Sequence, residues 1–332
     1  MTILTFFSIS GIYEHYSCGG PGTKTGFIHR TMYFPHQDDD EISRIIKTHA
    51  RYVVLIQQNE YAVSLFQKDI LPRINDAHKP YVIISCMDDM TFPEEVVGSF
   101  FDSDAFLDAP HLLRRWFATN CRSREYLTLL PKNKITPIPY GVDYWTLSRR
   151  VSWTNTPMAS STAQDRHLSQ LSSSTLHFTK RPLTDCVYIN FQFNLDGNGG
   201  AERNHAFQTI PRDVMSLQET PCNRYDTWGA YSQHAFVASP RGNGIDTIRT
   251  WEALMLGCIV IVRRFKPMPI EELYHDLPVV MIDRWSEVTR EFLANILSKF
   301  AKRSANNEFR YEKLSMNYWI HQIESAFDTS II

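Results

Sequence analysis

Short apolar runs alternate with amphipathic stretches along the first half of the chain. The runs with strand-like length and composition are Ile3–Phe7, Tyr52–Ile56, Tyr81–Cys86 and Ala105–Leu107. Between them, apolar residues recur at helical spacing over Glu41–His49 and Ala62–Ile74. An alternation of this kind predicts a parallel sheet of the doubly wound type, and therefore an α/β fold.

The same alternation resumes in the second half of the chain. Predicted strands are Val187–Phe191, His234–Ala238, Cys258–Val262 and Val279–Ile282. Predicted helices cover Ala201–Phe207, Thr247–Leu256 and Glu287–Lys299. A last helical pattern, Tyr311 to Phe327, is expected to pack back across both halves. The second half is therefore also predicted to be Rossmann-like.

Two features mark the boundary between these halves. The segment Ile135–Val142 is punctuated by proline and glycine and cannot continue a helix, and the composition from Ser148 to Pro182 shifts to serine and threonine. We therefore expect a first domain over residues 1–147, a partly mobile connection over 148–182, and a second domain over 183–332.

Composition and charge limit the classes of function. The 43% hydrophobic and 21% charged residues are typical of a globular protein, and the net charge of −2 gives no electrostatic argument for a nucleic-acid partner. The six cysteines form no C-x-x-C pair, and Cys86, Cys186 and Cys258 adjoin apolar runs that favour buried, reduced thiols. The start of the chain lacks the basic residues of a signal peptide, and no apolar run reaches the ~18 residues of a membrane span. We expect a cytoplasmic protein.

The segment His234 to Val262 predicts a phosphate-binding turn between a strand and a helix. Gly242 and Gly244 permit tight turns, and Asp246 or Thr247 can cap the helix, whose free N–H groups and positive dipole end attract anions. Glycines at these positions match neither the Walker pattern nor G-x-G-x-x-G. The predicted ligand-binding residues of this turn and its surroundings are Arg203, Ser239, Arg241, Gly242, Asn243, Gly244, Asp246, Thr247, Arg249 and Glu252.

Arginines at this turn predict a diphosphate, and Glu252, on nearly the same helix face as Arg249, can accept hydrogen bonds from ribose hydroxyls. Three simpler interpretations remain open. Asp246 can be a plain helix cap, Arg249 and Glu252 can form a solvated ion pair, and Arg203 can be an ordinary surface arginine.

Residues 239–262, SPRGNGIDTIRTWEALMLGCIVIV, followed by LPVVMIDRWSEVT at 277–289, resemble the C-terminal signature of exostosin-type glycosyltransferases. Val260 replaces the usual proline of the G-C-I-P motif. Within that family, the sequence resembles the compact exostosin-like transferases of large algal viruses that glycosylate capsid proteins, some of which use a xylose donor. This resemblance implies a GT-B fold with two Rossmann-like domains facing across a cleft, an inverting mechanism and no obligatory metal. It places a nucleotide sugar, with a UDP-sugar favoured, on the C-terminal domain and a glycan or glycoprotein acceptor on the N-terminal domain.

The general base of the reaction is predicted to be either Asp88 or Asp89. They follow the apolar run Tyr81–Cys86 and therefore lie at the end of a predicted central strand, where ligands bind in such folds. Asp88 is preferred over Asp89, and Glu14 and His15, in the loop expected after the first strand, are held in reserve. The simpler interpretation is that Asp88 and Asp89 cap a helix or bind solvent in a loop that ends at Pro93. Neither the acidic run from Asp38 nor the scattered histidines have the spacing of a metal site, so no metal ligand is predicted.

Three other functions remain open. A metal-dependent GT-A-type transferase would use Met87, Asp88 and Asp89 as a carboxylate metal motif. A sugar-phosphate epimerase would need a nicotinamide fingerprint, which the sequence lacks. A non-catalytic glycan-binding module would bind glycan without any transfer.

Overall fold

The computed structural model describes residues 5–17, 24–30, 37–98, 100–122, 134–145, 160–191, 197–220, 222–264 and 270–328. The chain forms two compact units. The N-terminal unit consists of Gly11–Tyr140, Met268–Ile270 and Asn317–Ile332, and the C-terminal unit of Met1–Ser10, Gly141–Pro267 and Glu271–Met316. Each unit is Rossmann-like, with a parallel sheet and flanking helices, which confirms the predicted α/β class.

The N-terminal unit is built on a five-stranded parallel sheet in the order β1-β2-β3-β4-β5. Its strands are β1 Thr25–Arg30, β2 Arg51–Gln57, β3 Tyr81–Cys86, β4 Leu113–Ala118 and β5 Ile135–Pro137. Its helices are α1 Ile9–Ser17, which belongs to this unit from Gly11 onward, α2 Asp39–Thr48, α3 Glu60–Leu65, α4 Leu71–Asp76 and α5 Asp104–Leu107. A π-helical turn at Phe66–Ile70 joins α3 to α4. Strand β3 is buried along its whole length, as expected for a central strand covered on both faces.

Local sequence explains why α2 covers this sheet. Asp38 caps the helix by accepting a hydrogen bond from the Glu41 N–H at 2.8 Å. Ile42, Ile45 and Ile46 lie on one helix face and are buried in the same core as Trp116 of β4.

The C-terminal unit has a second five-stranded parallel sheet in the order β10-β9-β8-β6-β7. Its strands are β6 Leu183–Ile189, β7 Met215–Leu217, β8 His234–Ala238, β9 Ile259–Arg263 and β10 Val279–Ile282. Its helices are α6 Ser161–Ser174, α7 Gly197–Thr209, α8 Arg224–Gln233, α9 Ile248–Met255, α10 Glu271–Tyr274 and α11 Arg290–Ala305. The terminal helix α12, Met316–Ser325, belongs to the N-terminal unit from Asn317 onward. There Glu324 accepts hydrogen bonds from Tyr16 at 2.9 Å and from Arg51 at 2.5 Å.

A buried arginine joins several elements of the C-terminal unit at the end of the sheet where its strands begin. The Arg181 side chain is only 4% exposed. Its Nη1 donates to the carbonyls of Tyr231 at 3.0 Å and His234 at 2.6 Å, and its Nη2 donates to the carbonyl of Leu256 at 2.6 Å. Arg181 therefore adds hydrogen bonds to carbonyl groups at the C-terminal ends of α8 and α9, and its charge suits the negative end of both helix dipoles.

Several sequence predictions were wrong in detail. Ala105–Leu107 is not a strand but part of α5, because Ser103 caps a helical turn by accepting from the Phe106 N–H at 3.3 Å. The described part of Ile3–Phe7 forms only an isolated bridge between Phe6 and Ser315, within the C-terminal unit. The segment predicted as a mobile connection contains the fourteen-residue helix α6. Strands β1, β4, β5 and β7 and helices α1, α8 and α10 were not predicted. Among the predicted buried thiols, Cys86 and Cys258 are buried, but Cys186 is half-buried.

Candidate functional site

The order of the strands in the C-terminal sheet places a crevice between β6 and β8. These strands are neighbours, but the chain leaves β6 towards β7 on one side and leaves β8 towards β9 on the other. The connections after the two strands therefore diverge, and such a switch point is where open α/β sheets bind ligands. Asn190 follows β6 at this point, and Ser239 follows β8.

Two glycines from different connections meet at the switch point. A Cβ added to Gly199, in the first turn of α7, would lie 2.6 Å from the carbonyl carbon and oxygen of Gly242. By contrast, a Cβ at Gly242 would meet only side chains, with Nη2 of Arg203 at 3.0 Å and Cγ2 of Thr247 at 3.8 Å. The N-terminus of α7 thus packs directly on the glycine loop, and Gly199 is a site residue that the sequence interpretation missed.

Arg249, in the first turn of α9, is a cation at this switch point. Its Nε donates to Oδ1 of Asn190 at 3.0 Å, and its guanidinium lies 5.6 Å from the ring centre of Phe191. Its Nη1 is buried and has no hydrogen-bond partner among the described residues. Burial lowers the pKa of Arg249, with opposing contributions from Tyr231 and Glu252. A buried guanidinium nitrogen without a partner is a costly group, and an anionic ligand would satisfy it.

Glu252, one turn further along α9, is 5% exposed and is paired with an arginine that the sequence interpretation did not single out. Its Oε1 accepts from Nε of Arg224 at 2.9 Å and also from Nη2 of the same side chain. Arg224 comes from the start of α8, and the simpler interpretation of an Arg249–Glu252 ion pair was therefore wrong. Asn190 and Arg224 contact α9 from 59 and 28 residues away in the sequence, so no local motif could have revealed them.

Other predicted binding residues are engaged within the protein. The Asp246 carboxylate is 3% exposed and accepts from Trp251 at 2.6 Å, Tyr274 at 2.9 Å and the Thr247 N–H at 2.8 Å, so it stabilises the loop instead of facing a ligand. Ser239 shares hydrogen bonds at 2.9 Å with the hydroxyls of Thr247 and Thr250.

The remaining members of the predicted set lie in or against the loop. Arg241 folds back onto the Asn243 carbonyl at 3.1 Å, and the Asn243 side chain is exposed, whereas Gly244 is buried. Arg203 lies against Gly242 and is only 9% exposed, so the interpretation of an ordinary surface arginine was wrong.

In the N-terminal unit, Asp88 and Asp89 follow β3 as predicted but differ in their surroundings. Oδ2 of Asp88 accepts from Gln57 at 3.0 Å and from Asn59 at 3.1 Å, and its Oδ1 accepts from the Asp89 N–H at 2.8 Å. Asp89 is exposed, and its carboxylate accepts no hydrogen bond from the described residues. The structure therefore holds one carboxylate in a fixed network and leaves its neighbour open.

The reserve candidates for the base lie in a helix and not in a loop. Glu14 and His15 are both part of α1. The His15 ring packs edge-on against Tyr16 at 4.7 Å, and burial lowers the pKa of His15 more than the nearby Glu324 raises it.

The described ranges contain neither a group of metal-binding side chains nor a helix suited to a membrane. There, no three or more His, Cys, Asp or Glu side chains are grouped so that they can hold a metal ion. No helix in the same ranges has both the length and the apolar character needed to cross a bilayer.

No protein-family profile matches the chain, and no curated protein matches it. Among solved structures, the chain is similar to an α,α-trehalose-phosphate synthase (UDP-forming) from Burkholderia xenovorans in complex with glucose-6-phosphate, at 10% identity and a TM-score of 0.40, over 89% of this chain and 80% of that one. It is also similar to the pneumococcal O-GlcNAc transferase GtfA in complex with UDP and GlcNAc, at 10% identity and a TM-score of 0.36, over 87% of this chain. The chain spans 60% of the length of that transferase. What this chain binds is therefore inferred from its own residues.

Proposed function

We propose that the protein is a glycosyltransferase of the GT-B type that moves a sugar, with inversion, from a nucleotide-diphosphate donor to a glycan hydroxyl. The observation that carries the proposal is the buried Nη1 of Arg249 at the switch point of the C-terminal sheet, which has no hydrogen-bond partner in the described part of the chain. The likeness of residues 239–262 to exostosin-type transferases supports a donor of this class, with a UDP-sugar favoured.

The donor diphosphate would lie where the glycine loop meets the start of α9. No side chain caps this helix at Thr247, so backbone N–H groups in its first turn are available to an anion. Arg249 adds a positive charge in a partly buried position, where charge-assisted hydrogen bonds are strong. Glu252 lies one turn further along the helix and would accept a hydrogen bond from the ribose of the same nucleotide.

The transfer requires one base and one stabilised leaving group. The acceptor oxygen forms a bond to the anomeric carbon, the bond from that carbon to the diphosphate oxygen breaks, and the acceptor proton passes to the base. We assign the base to Asp89, because its carboxylate is exposed and free to accept the proton. Asp88, whose two oxygens already accept hydrogen bonds, would hold the loop that presents Asp89. The negative charge that develops on the diphosphate would be stabilised by Arg249 and the α9 amides.

A thermal-shift panel of UDP- and GDP-sugars tests this function. UDP-xylose belongs in the panel because some of the viral exostosin-like transferases use a xylose donor. A donor present at 100 times its Kd adds about 2.7 kcal/mol to the free energy of unfolding, which shifts the melting temperature by several degrees. Stabilisation by one nucleotide sugar, followed by release of its nucleoside diphosphate with a glycan acceptor, is the expected result. A protein that none of these compounds stabilises does not have this function.

We expect turnover to survive metal chelation, because the loop amides, the α9 dipole and Arg249 already offset the charge of the leaving diphosphate. The measurement compares the initial rate of donor consumption before and after dialysis against EDTA. Loss of turnover that Mn²⁺ or Mg²⁺ restores would contradict the metal-free mechanism.

A further inference from the structure

Arg224 occupies an unusual position for a cation. It is the first residue of α8, next to the Asn223 cap, and it therefore lies at the positive end of the helix dipole. Its side chain is only 13% exposed. A cation placed in this way needs compensation from anionic or polar partners, and Arg224 has several within the C-terminal unit.

The partners of Arg224 fix its guanidinium on every side. Nε and Nη2 both donate to Oε1 of Glu252, Nη1 donates to the carbonyl of Asp143 at 2.9 Å, and the group lies 5.6 Å from the ring centre of Trp228. Burial alone would lower the pKa of Arg224, but the charges of Glu252 and Asp143 raise it above its ordinary value. Arg224 therefore stays cationic beside the Glu252 carboxylate.

The pair leaves one carboxylate oxygen open. Both contacts from Arg224 fall on Oε1 of Glu252, and Oε2 accepts no hydrogen bond from any residue that the structure describes. A carboxylate in ionised form is acceptor-only, so the open oxygen is matched to a ligand hydroxyl and not to a phosphate. Glu252 also follows Arg249 by three residues on α9, which brings such a hydroxyl close to the diphosphate position.

We propose that Arg224 is a positioning residue that orients Glu252 towards the ribose hydroxyls of the donor, and that it thereby restricts the donor to ribonucleoside diphosphate sugars. This inference rests on the proposed function. Arg224 itself touches no ligand; it acts by holding Oε1, so that Oε2 faces the ribose. A deoxynucleotide donor would leave this oxygen without a ligand hydroxyl and would bind more weakly.

Calorimetry with UDP, 2′-deoxy-UDP and 3′-deoxy-UDP tests the proposal. The wild-type protein is expected to bind UDP about 10- to 100-fold more tightly than at least one deoxy analogue, as one hydrogen bond to a charged group implies. Lysine retains the charge of arginine but not its planar fork, so Arg224→Lys is expected to weaken UDP binding about tenfold. The affinity of the discriminated deoxy analogue should stay within about twofold of wild type, because that ligand does not use the oriented oxygen.

A matched control and a second variant keep the test decisive. Arg290 also pairs with a carboxylate of the C-terminal unit, that of Asp185, but this pair lies on the surface. Arg290→Lys should therefore change neither the affinity for UDP nor that for the deoxy analogue. If Arg224→Lys does not fold, Arg224→Met combined with Glu252→Gln removes both charges together and avoids an unpaired buried ion. The ratio of the UDP affinity to the deoxy-UDP affinity should be the same in this double variant as in Glu252→Gln alone, because Arg224 acts only through Glu252.

The outcomes separate this inference from the proposed function. The positioning role is overturned if the wild-type protein binds UDP and both deoxy analogues equally. It is also overturned if Arg224→Lys weakens the binding of all three ligands alike. Both results leave nucleotide binding in place. Repeating the series with GDP and 2′-deoxy-GDP covers the other base in the donor panel. A wild-type protein that binds none of these nucleotides overturns the proposed function, and the inference with it.

Discussion

Replacing Arg249 by glutamine is expected to weaken UDP binding by about 100-fold, because one guanidinium would supply more than one charge-assisted hydrogen bond to the diphosphate. The free protein should not lose stability to the same degree. Nη1 of Arg249 has no partner among the described residues, so the substitution removes a buried charge that the fold only partly satisfies. Calorimetry gives the affinity, and thermal denaturation without ligand gives the stability.

Arg303 offers a control of similar character within the same unit. It lies over the rings of Phe300 and Phe309, as Arg249 lies over Phe191, but its Nε pairs with Glu308 at 3.1 Å. Arg303→Gln should leave UDP affinity unchanged while it lowers the melting temperature slightly. Equal affinities of Arg249→Gln and wild type would remove the switch-point crevice as the donor site.

Exchange of Asp89 for asparagine is expected to lower kcat by about two to four orders of magnitude while donor affinity stays nearly constant. The reason is that Asp89 carries the open carboxylate of the loop after β3, and an asparagine side chain cannot take up the proton of the acceptor hydroxyl. Single-turnover rates with saturating donor, together with donor Kd, give both quantities.

Asp88→Asn is the comparison variant for this prediction. The wild-type Asp88 carboxylate accepts hydrogen bonds from Gln57, Asn59 and the Asp89 N–H. Its replacement by an amide should lower the free energy of unfolding by about 1–3 kcal/mol and should affect kcat less than Asp89→Asn does. A stable Asp88→Asn protein without turnover, beside an active Asp89→Asn protein, would exchange the two roles. If both variants were active, His15 and Glu14 of α1 would be the next residues to test.

Local sequence patterns predicted the part of the site that is local in the chain. The strand His234–Ala238, the glycine loop and the helix after it lie where the apolar run and the helical spacing placed them, with the helix boundaries shifted by one residue. Strand β3 was predicted with its observed bounds, because a fully buried strand is a continuous apolar run. A short apolar triplet such as Ala105–Leu107 carries no such information, and there the cap at Ser103 decided the structure.

The partners that complete the site were not predictable in this way. Asn190, Gly199 and Arg224 reach the glycine loop and α9 from separate connections, through contacts that depend on the strand order β8-β6-β7. A segment rich in serine and threonine likewise became α6, because Ser160 caps it and Leu168 is buried in the C-terminal unit. Asp165 of α6 is buried and accepts hydrogen bonds from the N–H groups of Thr5 and Phe6. Thr5 lies 160 residues away in the sequence, so no local pattern indicates this contact.

Helix α9 is fixed at both ends before any ligand arrives. At its start, the Asp246 carboxylate is held by Trp251 and Tyr274, and at its end the Leu256 carbonyl is held by Arg181. A rigid receptor loses little conformational entropy on binding, so more of the contact energy appears as affinity. Donor capture on this helix should therefore resemble the docking of a ligand into a preformed surface, with an association rate that no slow rearrangement of α9 limits.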